Sequence, residues 1–328
     1  MTAVLGVDTS CYTTSCALID TEGRVLADVR RLLQVPGGDN GLRQSEAVFA
    51  HMKQLPQVIA EAMDSAGKPG LFAVCVSDSP SDGKDSYMPV FLAGVSHART
   101  IAAVSGLPCF YTTHQRGHLA AAGIGRPLIG KTHLAIHLSG GTTELLLVEG
   151  SGIGRIAGTG DISAGQLLDR IGVLLGYSFP AGADMEKLAR LGKAEGRYPA
   201  AVMEATLHLS GAEAAAKRDI EQHSISNEQV AAELFDVISR SLIRLCMYSS
   251  QKTGLFEILV TGGVASSELL RQNVFQRVSQ RGLPFVFHFG DAKYASDNAA
   301  GVALIGLHQY QSYEEGSHGH CAQRQGTI

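Results

Sequence analysis

The sequence predicts an α/β fold built as two related lobes. Three observations carry this. An apolar run, a turn rich in Ser, Thr and Gly and a second apolar run occur first over residues 4–20 and again over residues 134–148. Each copy has the pattern of a β-hairpin. Downstream of each hairpin, helical periodicity alternates with short apolar strands, the order expected of an α/β protein. The length of 328 residues, with 45% hydrophobic and 18% charged residues, suits one large or two medium domains with their own cores. Hydroxyls and bare backbone N–H groups at such turns can hold phosphate oxygens. Two of them, about 130 residues apart, point to two lobes facing one nucleotide.

In the first lobe the pattern gives strands over 4–7 and 15–19 and a third around 23–27. A helix follows over 46–66, where Val48, Met52, Leu55, Val58, Ile59 and Met63 fall at helical spacing. Pro56 lies inside it and is expected to kink it. A buried strand at 71–77, a helix at 89–104, a short strand at 109–111 and a helix at 114–122 complete the lobe. The second lobe opens on the repeated hairpin. A helix over 164–175 ends at Gly176 and Pro180. Residues 184–225 are polar and weakly patterned and read as helices with loops. A long amphipathic helix spans 227–251, with Val230, Leu234, Val237, Ile238, Leu242, Leu245 and Cys246 on one face. Strands at 257–260 and 285–289 bracket a helix over 266–280, and the last helix covers 296–309. The tail after Tyr310 is polar and expected to fray. Its His318 and His320 are weak evidence for a metal site.

Composition narrows the function. A net charge of −4 gives no electrostatic footprint for autonomous nucleic-acid binding. An RNA substrate would need a local basic patch or a partner protein. The six cysteines show no CxxC pair or zinc-ribbon spacing and read as small buried hydrophobes in a reducing compartment. With no basic leader and no apolar run of membrane-spanning length, the expected location is the cytoplasm, away from membranes.

Three constellations carry chemistry. His114 and His118 stand at i and i+4, which brings both imidazoles to one helical face and to one ion. The same spacing suits a solvated pair, and no Glu follows the first His as a metalloprotease HExxH would require. Asp297, an acid at a helix start, is a candidate third ligand and equally a candidate first-turn acid. The Gly262–Gly263 turn follows a predicted strand and opens a helix, where missing side chains let a ligand approach the backbone. A plain strand-to-helix turn has the same look. Asp161 is placed to cap the helix that begins at 164. Asp169 lies within that helix, where an acid can reach a ribose hydroxyl or pair with a surface cation.

As an ordered set these motifs resemble the family of tRNA threonylcarbamoyladenosine synthases, once called glycoproteases or O-sialoglycoprotein endopeptidases. Asp8, Thr9, Ser10 and Cys11 look like its opening ETSC or DTSC, and His114 and His118 match its HxxxH. Residues 139–144 look like its SGGHTQ or SGGNTQ. Asp169 with Arg170, and Pro180 with Gly182, look like its FDK and YPGG. Residues 262–271 look like GGVAANxxLR, and residues 296–300 look like TDNAA. The resemblance implies the actin/Hsp70/sugar-kinase fold, with two RNase H-like lobes and a nucleotide cleft between them. The lobes would be residues 1–130 and 131–295, with a helical insertion at about 180–226. The helix 296–312 would pack back on the first lobe, ahead of a flexible tail at 313–328.

The resemblance also implies one Fe or Zn ion held by His114, His118 and Asp297, with ATP or threonylcarbamoyl-adenylate nearby. His137 stands where archaeal members carry a metal-binding tyrosine; it is either a further donor or an inward strand residue with a satisfied hydrogen bond. The nucleotide would meet Ser139, Gly140, Gly141, Thr142, Gly165, Asp169, Gly182, Glu186, Gly262, Gly263 and Ser267, with Asp8 and Ser10 at the reacting centre. The implied activity is transfer of threonylcarbamoyl to the N6 amine of adenosine in tRNA.

The chain departs from the family where acids are expected. Tyr12 and Thr13 replace an acidic pair, Ile162 and Gln166 replace an Asp and a Glu, and Ser267 replaces an Asn. Losing acids near a reacting centre weakens proton transfer and the placement of positive groups. The chain therefore reads as a divergent paralogue. It is either a transferase that works with partner subunits or a non-catalytic nucleotide-binding subunit beside a paralogous synthase. A sugar or acetate kinase of the same fold would need a substrate base that the sequence does not show, and nothing supports proteolysis.

Overall fold

A computed structural model describes residues 1–10, 12–34, 43–82, 86–128, 130–150 and 152–316. Cys11, residues 83–85 and the His318, His320 and Cys321 tail lie outside the described residues. The chain forms two compact units. One holds Met1–Ile124 with the segment from Asp297 onward, and the other holds Gly125–Ser296.

The first unit is a five-stranded sheet, ordered β3-β2-β1-β4-β5. Its strands are β1 (Thr2–Ser10), β2 (Thr13–Asp20), β3 (Val25–Leu32), β4 (Gly70–Ser79) and β5 (Cys109–Thr113). β1 and β2 form an antiparallel hairpin from Ala3↔Asp20 to Ser10↔Thr13, while β4 runs parallel to β1 and β5 parallel to β4. Helices α1 (Gln44–Ser65), α2 (Phe91–Ser105), α3 (His114–Ala122) and α9 (Ala300–Gly316) complete the unit. Nearly every residue of β1 and β2 is buried, as expected of strands covered on both faces. Leu5, Val7, Leu18, Leu55, Val58, Val74 and Val76 fill the core.

The second unit repeats the plan. Its sheet is ordered β12-β11-β6-β7-β8-β10-β9. The strands are β6 (His133–Leu138), β7 (Thr143–Glu149), β8 (Gly152–Thr159), β9 (Ala201–Met203), β10 (Thr206–His208), β11 (Glu257–Thr261) and β12 (Val286–Phe289). β6–β7 is the second antiparallel hairpin, and β11 runs parallel to both β6 and β12. The order β8-β7-β6-β11-β12 matches that of the first sheet, so the repeated sequence pattern marks a repeated topology. The helices are α4 (Ala164–Leu174), α5 (Gly182–Ala189), α6 (Ser210–Glu221), α7 (Asn227–Thr253) and α8 (Glu268–Arg281). The apolar face of α7 is buried through Val230, Leu234, Val237, Ile238, Leu242 and Leu245.

Three local expectations are corrected. Asp161 does not cap α4. Ser163 does, accepting from the N–H of Gln166, whose Oε1 accepts from the Ser163 N–H in return. The Asp161 carboxylate instead accepts from the N–H groups of Leu209 and Ser210 and from the Ser210 hydroxyl, which holds its pKa down at about 2 against its partial burial. The weakly patterned stretch contains the β9–β10 pair, whose three-residue strands are too short to show a period. The last helix starts at Ala300, because the Asn298 Oδ1 accepts from the Ala300 N–H. It runs on to Gly316 instead of fraying after Tyr310, with the Tyr310 hydroxyl on Glu314 and Tyr313 against Phe110.

His51 of α1 joins the helix to β2. The Thr14 hydroxyl donates to Gln54 Oε1 at 2.7 Å and therefore accepts from His51 Nδ1–H at 2.8 Å. His51 Nε2 is buried without a hydrogen-bond partner, so a proton there would be unsatisfied. Burial lowers the imidazole pKa to about 4, with the Asp8 charge working in the other direction. The unfolded chain takes up this proton near pH 6.5 and the folded chain near 4. Stability from this group is full above pH 6.5, falls progressively as pH drops from 6.5 to 4, and is fully lost below 4. The loss is about 3 kcal/mol by the linkage relation. Urea unfolding at pH 7 and pH 4 should show this loss, and His51→Gln should reduce it. An equal loss in the variant would assign the acid sensitivity to other groups.

Candidate functional site

In the first unit, β5 hands directly to α3. Thr113 has extended backbone and its hydroxyl accepts from the Arg116 N–H, which fixes the helix start and sets His114 and His118 one turn apart. Asp297 stands just ahead of α9, where Asn298 does the capping and leaves the Asp297 carboxylate out of the helix terminus. His114 Nε2 and His118 Nε2 are 3.0 Å apart, and Asp297 Oδ1 lies 3.5 and 3.2 Å from them. All three side chains are half-buried. Two ring nitrogens facing each other and one carboxylate oxygen make a donor set suited to Zn²⁺ or Fe²⁺, with coordination positions left for other ligands. It is the only such group of His, Cys, Asp and Glu among the described residues.

The hairpin β1–β2 borders this cluster. Asp8 is fully buried; its carboxylate lies 3.1 and 3.2 Å from His114 Nδ1 and accepts from the Ser77 hydroxyl. Burial favours the neutral imidazole of His114, but Asp8 and Asp297 outweigh it and raise the pKa to about 10. Burial likewise opposes the charge on Asp297 and on Asp8, yet hydrogen bonds and charge from the histidines hold both carboxyls below the usual range. The Thr13 hydroxyl donates to Asp297 Oδ2 at 3.1 Å. Ser10 is buried beside Asp8, whereas Tyr12 is 43% exposed.

In the second unit, Ser139, Gly140, Gly141 and Thr142 form the turn between β6 and β7. Ser139 Oγ accepts from the N–H groups of Gly141 and Thr142, and the Thr142 hydroxyl pairs with Ser139 Oγ and with His137 Nδ1 at 3.1 Å. A Cβ at Gly140 or Gly141 would meet nothing within 4 Å, so no protein neighbour requires glycine there. Gly165, at the start of α4, is different: its Cβ would come within 2.5 Å of Gly140 Cα. It keeps the helix N-terminus against the turn. Gly262 has a φ of 100°, and its Cβ would fall 2.2 Å from the Leu138 carbonyl oxygen. Gly182 and Gly263 face open space.

Asp169 Oδ1 accepts from the Ala181 N–H, tying α4 to α5. Glu186 Oε1 accepts from the Leu269 N–H and from Arg190, contacts that outweigh its burial and lower its pKa. Ser267 caps α8 through the Leu270 N–H. Thr261, Gly262, Ser266, Arg271, Gly290 and Asp291 line a concavity beside this helix start. The structure thus brings His114, His118, Asp297 and Asp8 together in one unit, and Ser139, Gly140, Gly141, Thr142, His137, Gly165 and Gly262 in the other. Sequence reasoning missed the Thr13 contact with Asp297. Its one signal was position, as the residue that opens β2 opposite Ser10.

Two units of like strand order, each opening on a hairpin, define the actin/Hsp70/sugar-kinase class. A full-length HypF in phosphate- and nucleotide-bound form matches with a TM-score of 0.62 and 12% identity, covering 94% of this chain and 47% of that one. A ROK hexokinase from Thermus thermophilus matches with a TM-score of 0.56 and 14% identity over 94% and 99% of the two chains. At such identities the likeness is one of fold. Within the class, the chain belongs to the TsaD family, tRNA N6-adenosine threonylcarbamoyltransferase, whose sequence profile matches residues 38–304. The protein of that name from Anaeromyxobacter dehalogenans (strain 2CP-1 / ATCC BAA-258) is 29% identical over 320 residues, 94% of each chain. The one from Moorella thermoacetica is 28% identical over 323 residues, 94% of this chain and 92% of its own. No described helix is long and apolar enough to cross a membrane.

Proposed function

We propose that this chain is a metal-dependent transferase that moves the threonylcarbamoyl group of threonylcarbamoyl-adenylate to the N6 amine of an adenosine in tRNA, in the cytoplasm. The observation that carries the reading is the convergence of His114, His118 and Asp297 in a chain of the TsaD family. These three residues would hold one Fe or Zn ion. Bound there, the ion supplies a Lewis acid for phosphate or carbonyl oxygens. The hydroxyls of the Ser139–Thr142 turn suit phosphate oxygens, and the open faces of Gly182 and Gly263 leave room for the nucleoside of the adenylate or of ATP. In the transfer, the N6 nitrogen forms a bond to the carbamoyl carbon, the bond from that carbon to the phosphate oxygen breaks, and AMP leaves. The amine proton passes to solvent or to the departing phosphate.

A second reading, a non-catalytic nucleotide-binding subunit beside a paralogous synthase, has a specific observation behind it. Ile162 is buried in the core and Gln166 closes the cap of α4, so two positions of the family acids do structural work here. The deciding experiment incubates purified, metal-loaded protein with threonylcarbamoyl-adenylate and unmodified tRNA, then measures modified adenosine by mass spectrometry. The transferase reading expects product that forms slowly with the chain alone and faster with a partner subunit. No product under either condition, with nucleotide still bound in calorimetry, would establish the subunit reading. Rapid multiple turnover by the chain alone would show that the missing acids are not needed.

A further inference from the structure

We propose that the β1–β2 hairpin supplies the outer sphere of the metal centre, with Thr13 as the positioning residue for Asp297 and Asp8 for His114. The inference deepens the metal reading given above and rests on it. Each of the two ligands has one atom toward the cluster and one toward the hairpin. Asp297 turns Oδ1 to the histidine nitrogens and gives Oδ2 to the Thr13 hydroxyl at 3.1 Å. His114 turns Nε2 to the cluster and gives Nδ1 to Asp8 at 3.1 Å. An imidazole that donates Nδ1–H to a carboxylate carries its lone pair on Nε2, the tautomer a metal requires. Asp8 is held in turn by Ser77 and is fully buried, so it reaches a substrate only through His114.

Thr13 explains a departure that the sequence showed only as a loss. A carboxylate at position 13 would set a second negative charge against Asp297 Oδ2. A hydroxyl donates to that oxygen and leaves Oδ1 for the ion. Thr13 is buried and opens β2, paired across the hairpin with Ser10. A short backbone path therefore links the two positioning residues, and the sheet core anchors both.

The test measures Co²⁺ and Zn²⁺ binding to the metal-stripped full chain by competition with a chromophoric chelator, together with the visible absorption of bound Co²⁺. Thr13→Val keeps the shape and removes the donor, whereas Thr13→Ser keeps the donor. Outer-sphere losses of this kind weaken metal binding about 10–100-fold. Thr13→Val and Asp8→Asn are expected to show that loss and an altered Co²⁺ spectrum, while Thr13→Ser retains wild-type affinity and spectrum. Thr13→Ala replaces Thr13→Val should the latter fail to fold, and melting of the metal-free proteins controls for stability. Wild-type affinity and spectrum in the folded donor-less variant and in Asp8→Asn would overturn the inference and leave the metal reading intact. A wild-type chain that binds neither ion overturns the metal reading, and this inference with it.

Discussion

Replacing His114 and His118 together with alanine should reduce the bound metal from about one ion per chain to none. Two of the three converging donors disappear, and the one left, Asp297, is a partly exposed carboxylate with its second oxygen held by Thr13. One such oxygen competes poorly with water for the ion. Threonylcarbamoyl transfer should be lost with the metal. The two histidines are not equivalent for folding. His118 faces the cluster alone, whereas His114 also partners the fully buried Asp8. Removing His114 leaves the Asp8 carboxylate in the core with little beyond the Ser77 hydroxyl. An orphaned buried group of this kind costs about 1–3 kcal/mol, and more where it is charged. His118→Ala should therefore lose metal at near wild-type stability, and His114→Ala should lose both. Elemental analysis after dialysis against Zn²⁺ or Fe²⁺, with urea unfolding alongside, checks each variant. Metal retained by the double variant would place the ion elsewhere.

The parts of this molecule legible in the sequence are those written in local spacing. Both hairpins showed because the apolar runs at 4–7 and 134–138 each meet a short Ser/Thr/Gly turn and a second apolar run. The two imidazoles showed because i and i+4 share a helix face, and Asp297 because it precedes a helix. What stayed hidden depends on partners far along the chain. Asp161 looked like a cap for the helix three residues on, but it caps α6, 49 residues away, because β8 and β10 pair in the sheet. Asp169 read as a ribose or ion-pair residue, and nothing local announced that its Oδ1 accepts the Ala181 N–H, 12 residues on. Thr13 and Asp297 lie 284 residues apart, and no periodicity links them. Glycine had the same ambiguity. Gly165 and Gly263 are alike in sequence, yet a Cβ at Gly165 would strike backbone and one at Gly263 would meet open space.

Gly301→Val should be among the most damaging single substitutions in the first unit. A Cβ at position 301 would lie 1.8 Å from the Gly117 carbonyl oxygen and 2.6 Å from the Ala121 nitrogen. Both are backbone atoms of α3, so no rotamer change relieves the contact and one helix must move. The exchange of Gly for Ala inside a helix normally gains about 1 kcal/mol from propensity. Overpacking costs about 1–3 kcal/mol, occasionally more, and contacts this short belong to the upper end. The clash should therefore win already in Gly301→Ala, and the branched Val should destabilise the unit by more than Ala does. The damage reaches the site. Gly117 lies between His114 and His118 in α3, and Asp297 precedes Gly301 by four residues. Pushing α3 from α9 separates the imidazoles from the carboxylate, so the folded fraction of Gly301→Ala should also bind Zn²⁺ more weakly. Urea unfolding and chelator competition measure the two effects on one sample. Wild-type stability and affinity in Gly301→Ala would mean that the close crossing of α3 and α9 does not set the geometry of the three ligands.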